Sequence, residues 1–241
     1  MTMFQYQSTI YKTFGWHNHS INNLTIINNN LNIKSIKTHH DMACGTGDFV
    51  NAIAKIGINS SGSDISPSMI NIAKKQFNNL DFNICDMTNI ILKEAVDLIT
   101  INYFSINMLK SIDDFNLVFN KACQNLNKGG HLVFDCASYY FINNTTINSF
   151  QHRNSTYLLE DIKSKNSKCT FKLTWFRKVG KNYKKSVERY DEITLPIIEL
   201  SELLRSNGLE PTKIIPLDSS EAGKDIDKLS NGFMVISMKI W

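Results

Sequence analysis

The sequence predicts an α/β fold: a mostly parallel sheet flanked by helices, with an antiparallel β insertion after the fifth strand. Three observations carry this. Apolar runs of strand length alternate with stretches of helical period as far as about residue 136. Parallel neighbours need crossover connections, so the alternation implies a sheet covered on both faces. From Tyr157 to Thr194 the helical period vanishes, and three β-branched and aromatic segments follow one another across short polar turns.

The elements read in order. "IKTHHDM" enters a glycine turn, and "DFVNAIAKIG" places Phe49, Val50, Ile53, Ala54 and Ile56 on a short amphipathic helix stopped by Gly57. Asp64 ends a second strand whose apolar start is weak. Ser66 then caps a helix, Pro67 suits its first turn, and Met69, Ile70, Ala73 and Phe77 form its buried stripe. "LDFNICDM" and "AVDLITINYF" read as the third and fourth strands. "IDDFNLVFNKACQNL" is a helix ended by Lys128–Gly130, and "HLVFDC" is the fifth strand. After the insertion, "IIELSELLRSNG" is helical, and "KIIPL" and "FMVISMKI" are the last strands. No repeat or linker divides residues 1–241, so a single domain is expected, with residues 155–194 as the β insertion. The asparagine-rich stretch Ile21–Lys34 reads as compositional drift over a folded segment, because aliphatics recur within it.

Composition narrows the class. The 241 residues carry a formal net charge of +4, with lysines scattered rather than gathered, which reads as a solvated surface and not a nucleic-acid footprint. No apolar run is long enough for a membrane span, and the first residues lack a secretory pattern. Five cysteines without a CxxC read as reduced thiols in a cytoplasmic protein, with no disulfide frame or metal site.

Gly45 and Gly47 lie between a strand and a helix, where a backbone without Cβ turns sharply and lets a ligand approach the helix N-terminus. Asp64 follows at the end of the next strand, where an acid can bind both hydroxyls of a ribose. Val50 stands where a dinucleotide fingerprint has its third glycine, which disfavours NAD.

"DMACGTG", "GSDISPSMINIAKK", "CDM" and "LNKGGHLVFD" together resemble the motif series of class I S-adenosylmethionine-dependent methyltransferases, with a Rossmann-like seven-stranded sheet. "YFSINML" and the insertion resemble the small-molecule branch, which includes amino-sugar N-methyltransferases and related secondary-metabolism enzymes. The resemblance implies cofactor contacts from Asp41, Ala43, Gly45 and Gly47 around the methionine part and ribose, and from Asp64 to the ribose hydroxyls. Ile65 and Met69 would pack near the adenine, Asp86 and Met87 would bind it, and Asn102 would lie beside the methyl group. Tyr103, Phe104 and Tyr11 would face the substrate, and residues 1–30 would fold over the cofactor, S-adenosylmethionine or its product S-adenosylhomocysteine.

A hydroxyl acceptor needs a base, whereas an amine only has to arrive neutral. The base candidates are Tyr139, Tyr140 and His17, with His19 and His152 behind them. Tyr157, Phe171, Trp175 and Phe176 suggest an apolar wall over the substrate, and Arg177 and Arg189 could read an anionic group. The insertion is expected to roof the pocket or to form a homodimer contact.

His39 and His40 depart from the family, which is aliphatic there. Adjacent strand residues point to opposite faces, so the pair cannot chelate one metal, and two neutral, hydrogen-bonded imidazoles are expected. Similar enzymes often carry an N-terminal arginine for the cofactor carboxylate. Here none precedes Arg153; Lys12 could substitute as a point charge, or water and backbone could do the job. Cys44 matches the family loop and is not expected to act as a nucleophile. The expected activity is methyl transfer to a nitrogen or oxygen of a small metabolite. Alternatives are an RNA or protein methyltransferase, and a catalytically silent binding protein.

Overall fold

The computed structural model describes residues 11–217 and 230–241, without the side chains of His17, Ser20 and Ile21. Helix α1 (His17–Asn30) leads into β1 (Thr38–Asp41), α2 (Asp48–Lys55), β2 (Asn59–Asp64), α3 (Pro67–Gln76), β3 (Asp81–Ile84) and β4 (Val96–Ile101). Helix α4 (Ile112–Asn125), β5 (Leu126–Ala137) and the short α5 (Tyr139–Asn144) follow. Strands β6 (Thr146–Arg153), β7 (Thr156–Lys165), β8 (Lys168–Val179) and β9 (Asn182–Glu192) then form a separate antiparallel sheet. The chain returns through α6 (Ile197–Ser206), β10 (Leu209–Pro216) and β11 (Gly232–Lys239).

The main sheet has seven strands in the order β10-β11-β5-β4-β1-β2-β3, in which β11 alone runs against the other six and pairs antiparallel with both β10 and β5. The chain leaves β1 towards β2 on one flank and later fills β4 on the other. The strand order therefore reverses between β1 and β4, and the carboxyl ends of those strands open the crevice where ligands bind in such sheets. Both faces are covered. Ile99, Ile101, Leu132 and Phe134 pack with Phe115 and Phe119 of α4, while Leu98 and Val133 pack with Ile27 of α1 and Phe49 and Ile53 of α2. This is the two-residue alternation expected of a sheet buried on both sides.

Three elements were not read from the sequence: the short α5, α1 and β6. Helix α1 runs through the asparagine-rich stretch; asparagine is a poor helix former, and the helix is held by the burial of Ile27 against the sheet rather than by propensity. The second sheet has four strands, since Thr146–Arg153 pairs with β7 ahead of the three expected ones. That strand is mostly exposed, with no buried alternation to give it away.

His39 and His40 behave as expected. The His39 ring bonds Ser60 Oγ at 2.7 Å and Thr100 Oγ1 at 2.9 Å, and the His40 ring bonds Ser61 Oγ at 2.8 Å and Ser63 Oγ at 3.0 Å. The serines that weaken the apolar pattern of β2 are the partners that make buried imidazoles tolerable in β1. Burial pushes the pKa of His39 down to about 3 and that of His40 down to about 4. Because the folded values lie below the unfolded one, the stability from the neutral rings is complete above about pH 6.5 and is lost as pH falls towards the folded values. Buried carboxyls with raised pKa act in the opposite sense, so a difference curve is the clean measurement. Relative to wild type, His39→Val/His40→Val should gain about 2.7 kcal/mol in unfolding free energy per pH unit between roughly pH 6 and 4.5, two protons' worth. Denaturant titrations read this, and parallel curves for the two proteins would contradict it.

Candidate active site

The glycine turn after β1 is built as expected. Gly45 and Gly47 have φ of +52° and +80°, and a Cβ on Gly47 would come within 2.7 Å of the Phe82 ring. Gly47 precedes α2 without any side-chain cap, so the N–H groups of that helix are left to the cleft. Asp64 holds the turn in place: its carboxylate accepts from Gly45 N at 2.9 Å and from Ser66 N at 2.8 Å. Burial pushes its pKa up, against the pull of those two N–H groups.

Three adjoining cavities follow from this frame. The first is lined by Tyr11, Asp41, Ala43, Gly45, Asp64, Met69, Asn102 and Tyr103, which brings together most of the expected cofactor residues. The second shares Ala43 and Asp64 with it and adds Ile65, Asp86 and Met87. Asp86 is exposed, and one of its oxygens accepts from Thr88 N and Thr88 Oγ1. The third, of about 470 Å³, lies between α1, the segment after β4, and the inner face of the second sheet, and it shares Tyr103 and Met108 with the first.

Buried polar groups tie these walls together. Asp41 accepts from Thr100 Oγ1 at 2.9 Å and Asn102 Nδ2 at 3.4 Å, and burial pushes its pKa up to about 7. Asn23 of α1 donates to Asn102 Oδ1 at 3.0 Å and to Asp135 Oδ2 at 2.8 Å. Asp135, fully buried at the end of β5, also accepts from Tyr103 N at 3.1 Å and Phe104 N at 2.8 Å, and bonds His19 Nε2 at 2.7 Å. Tyr103 and Phe104 are non-glycine residues at φ of +62° and +55°, and these two bonds hold their strained backbone. Burial drives the Tyr103 phenol far above its ordinary pKa, so it is neutral at physiological pH.

The structure corrects several expectations. Tyr139 and Tyr140 line none of the three cavities; Ser138 caps α5 directly after β5, and that turn leaves both rings about 40% exposed. His17 starts α1, and its side chain lies outside the described residues. His152 is exposed and stacks on Tyr157, whereas His19 lines the third cavity. Strand alternation also splits the expected aromatic wall. Phe171 lines the cavity and Trp175 packs beneath the sheet with Phe14 and Leu158, while Tyr157 and Phe176, paired in register, fall on the opposite face. Neither Arg177 nor Arg189 lines the cavity. Lys12 pairs with Asp48, a wall residue of the first cavity, at 3.2 Å.

Asp135, Asn23 and Met108 were missed. An acid at the carboxyl end of the fifth strand was a usable signal for Asp135, whereas Asn23 was hidden among neighbouring asparagines.

A doubly wound sheet with a glycine turn and a buried acid around the switch-point crevice is the architecture of the class I methyltransferases. A family model described as "Methyltransferase domain" matches residues 33–192, and the chain belongs to that family. A putative methyltransferase of Bacillus subtilis, YqeM, is 25% identical over 178 residues, covering 70% of this chain and 72% of that protein. Among solved structures, an S-adenosylmethionine-dependent methyltransferase from Clostridium acetobutylicum superposes with a TM-score of 0.77 at 20% identity, covering 95% of this chain and 91% of that one. CalS10 of Micromonospora echinaspora, an amino pentose methyltransferase, gives a TM-score of 0.77 at 14% identity, covering 99% and 98% of the two chains. At these identities the structural likenesses show a common fold.

Proposed function

We propose that this protein transfers a methyl group from S-adenosylmethionine to a nitrogen or oxygen of a small molecule held in the aromatic cavity. The observation that carries the reading is the shared wall: Tyr103 and Met108 border both the glycine-turn cleft and the third cavity, so two ligands would meet there. The residues fit the cofactor. A Cβ on Gly45 would meet nothing within 4 Å, which leaves open space at the turn, and the Asp64 carboxylate retains lone pairs for two ribose hydroxyls. Asp86 and Met87 would hold the adenine, and Asp41 would balance the positive charges of the methionine part. The described residues lining that cavity include no lysine or arginine to meet a phosphate backbone, which favours a small molecule over RNA.

The bound cofactor supplies an electrophilic methyl group on a sulfonium. The protein's work is to hold the acceptor about 3–3.5 Å away and in line. His19, its Nε2 fixed by Asp135, would receive the acceptor proton on its other ring nitrogen. Calorimetric titration with S-adenosylhomocysteine tests the reading, and absence of binding would overturn it. A pH series adds a sharper check. Burial pushes the pKa of Asp41 up to about 7, so affinity for S-adenosylmethionine should rise between pH 6 and 8 more than affinity for the product, which keeps the α-ammonium but lacks the sulfonium charge. Asp41→Asn should remove that difference.

A further inference from the structure

Successive residues of the second sheet alternate between its faces, and the inner face carries Glu160, Leu173 and Glu188 in register, with Glu192 further along β9. Two of these acids, Glu160 and Glu192, line the third cavity. They are not equivalent. Glu160 is half-buried and accepts from Ser149 Oγ and Gln151 Nε2 of the neighbouring strand. Glu192 is 5% exposed, and among the described residues its carboxyl has no hydrogen-bond or ion-pair partner. Burial and the nearby Asp135 push its pKa up to about 8, the state of a buried acid that lacks a counter-charge. The described residues lining the cavity include no lysine or arginine, although the chain as a whole carries a formal charge of +4. Its remaining wall presents the rings of Trp16, Tyr103, Phe104, Phe141, Phe171 and Tyr190.

We propose that Glu192, supported by Glu160, is a specificity-determining residue that reads the acceptor amine as its ammonium ion, which passes one proton to His19 before the freed lone pair attacks the methyl group. The proposal rests on the methyltransferase reading and narrows its substrate class to amines with an apolar body. The chemistry is complementary on three counts. A buried carboxylate is costly until a cation pairs with it. Aromatic faces attract ammonium groups, most strongly in desolvated sites. Among the described lining residues an anionic ligand would meet two acids and neither lysine nor arginine, with His19 already bonded to Asp135.

The test uses the full-length protein saturated with S-adenosylhomocysteine and three probes of one shape: benzylammonium, benzyl alcohol and benzoate. Calorimetry should show the ammonium binding at least about tenfold tighter than the alcohol, with benzoate weakest. Glu192→Gln should bring the ammonium down to the level of the alcohol, with the affinity for S-adenosylhomocysteine and the melting temperature unchanged. A purely structural Glu192 would shift all three probes together. Equal binding of ammonium and alcohol by the wild type, or an ammonium preference that survives Glu192→Gln, overturns the proposal; the wild-type comparison does not depend on how any variant folds. Failure of S-adenosylhomocysteine to bind removes the methyltransferase reading and this proposal together. Binding of it without an ammonium preference removes this proposal alone.

Discussion

Asp64→Ala is expected to weaken S-adenosylhomocysteine binding by about a hundredfold or more. Hydrogen bonds to a charged group contribute roughly 1.5–3 kcal/mol each, and the proposed geometry gives Asp64 two ribose hydroxyls, so even the low end reaches about two decades. The variant also frees the N–H of Gly45 and Ser66, which the carboxylate now holds at 2.9 and 2.8 Å, so the turn loses its brace as well as its ligand contact. Asp64→Asn separates these effects. It keeps the shape and one acceptor oxygen but not the charge, and should fall between wild type and alanine. Calorimetry measures both, with thermal unfolding to confirm that the variants remain folded. Unchanged affinity in Asp64→Ala would remove the assignment of this residue.

Asp135→Ala should be the most damaging single change to the acceptor side. It leaves four donors without their acceptor: the N–H groups of Tyr103 and Phe104, the Asn23 amide, which keeps only Asn102, and the His19 ring. Each buried donor left unsatisfied costs about 1–3 kcal/mol. The backbone at Tyr103 and Phe104 would also be free to leave its left-handed conformation. A loss of roughly 3 kcal/mol or more in denaturant unfolding is expected, along with a fall in methyl transfer exceeding about tenfold in the milder Asp135→Asn. That variant should retain its affinity for S-adenosylhomocysteine to within a few-fold, since Asp135 borders none of the cofactor cavity. If turnover and stability both survive in Asp135→Ala, the carboxylate is not the brace described above.

The donor half of the molecule was legible because its signals are local. A glycine turn, a strand-end acid and a capped helix lie within about thirty residues, and each has one physical interpretation. The acceptor half depends on long-range placement. Asp135 meets Asn23 across more than a hundred positions, and no spacing rule links them. Tyr139 and Tyr140 were misplaced because one serine cap redirects the chain after β5. The insertion's aromatics were read as one wall, yet Tyr157 and Phe176 take the opposite parity from Phe171, so its two faces were merged. The histidine pair was legible for the same reason: strict alternation put the rings on opposite sides, and β2 supplied hydroxyls to both.

The division of labour between the two sheets has an evolutionary corollary. Glu160, Phe171, Leu173, Tyr190 and Glu192 come from the smaller sheet, which contributes nothing to the two donor-side cavities. With the acceptor in the third cavity, as proposed, substrate choice can drift by exchanging every second residue on a few strands while the glycine-turn frame stays untouched. Anyone redesigning this enzyme for a new acceptor has a short, separable set of positions to randomise, with Tyr103 and Met108 as the fixed boundary.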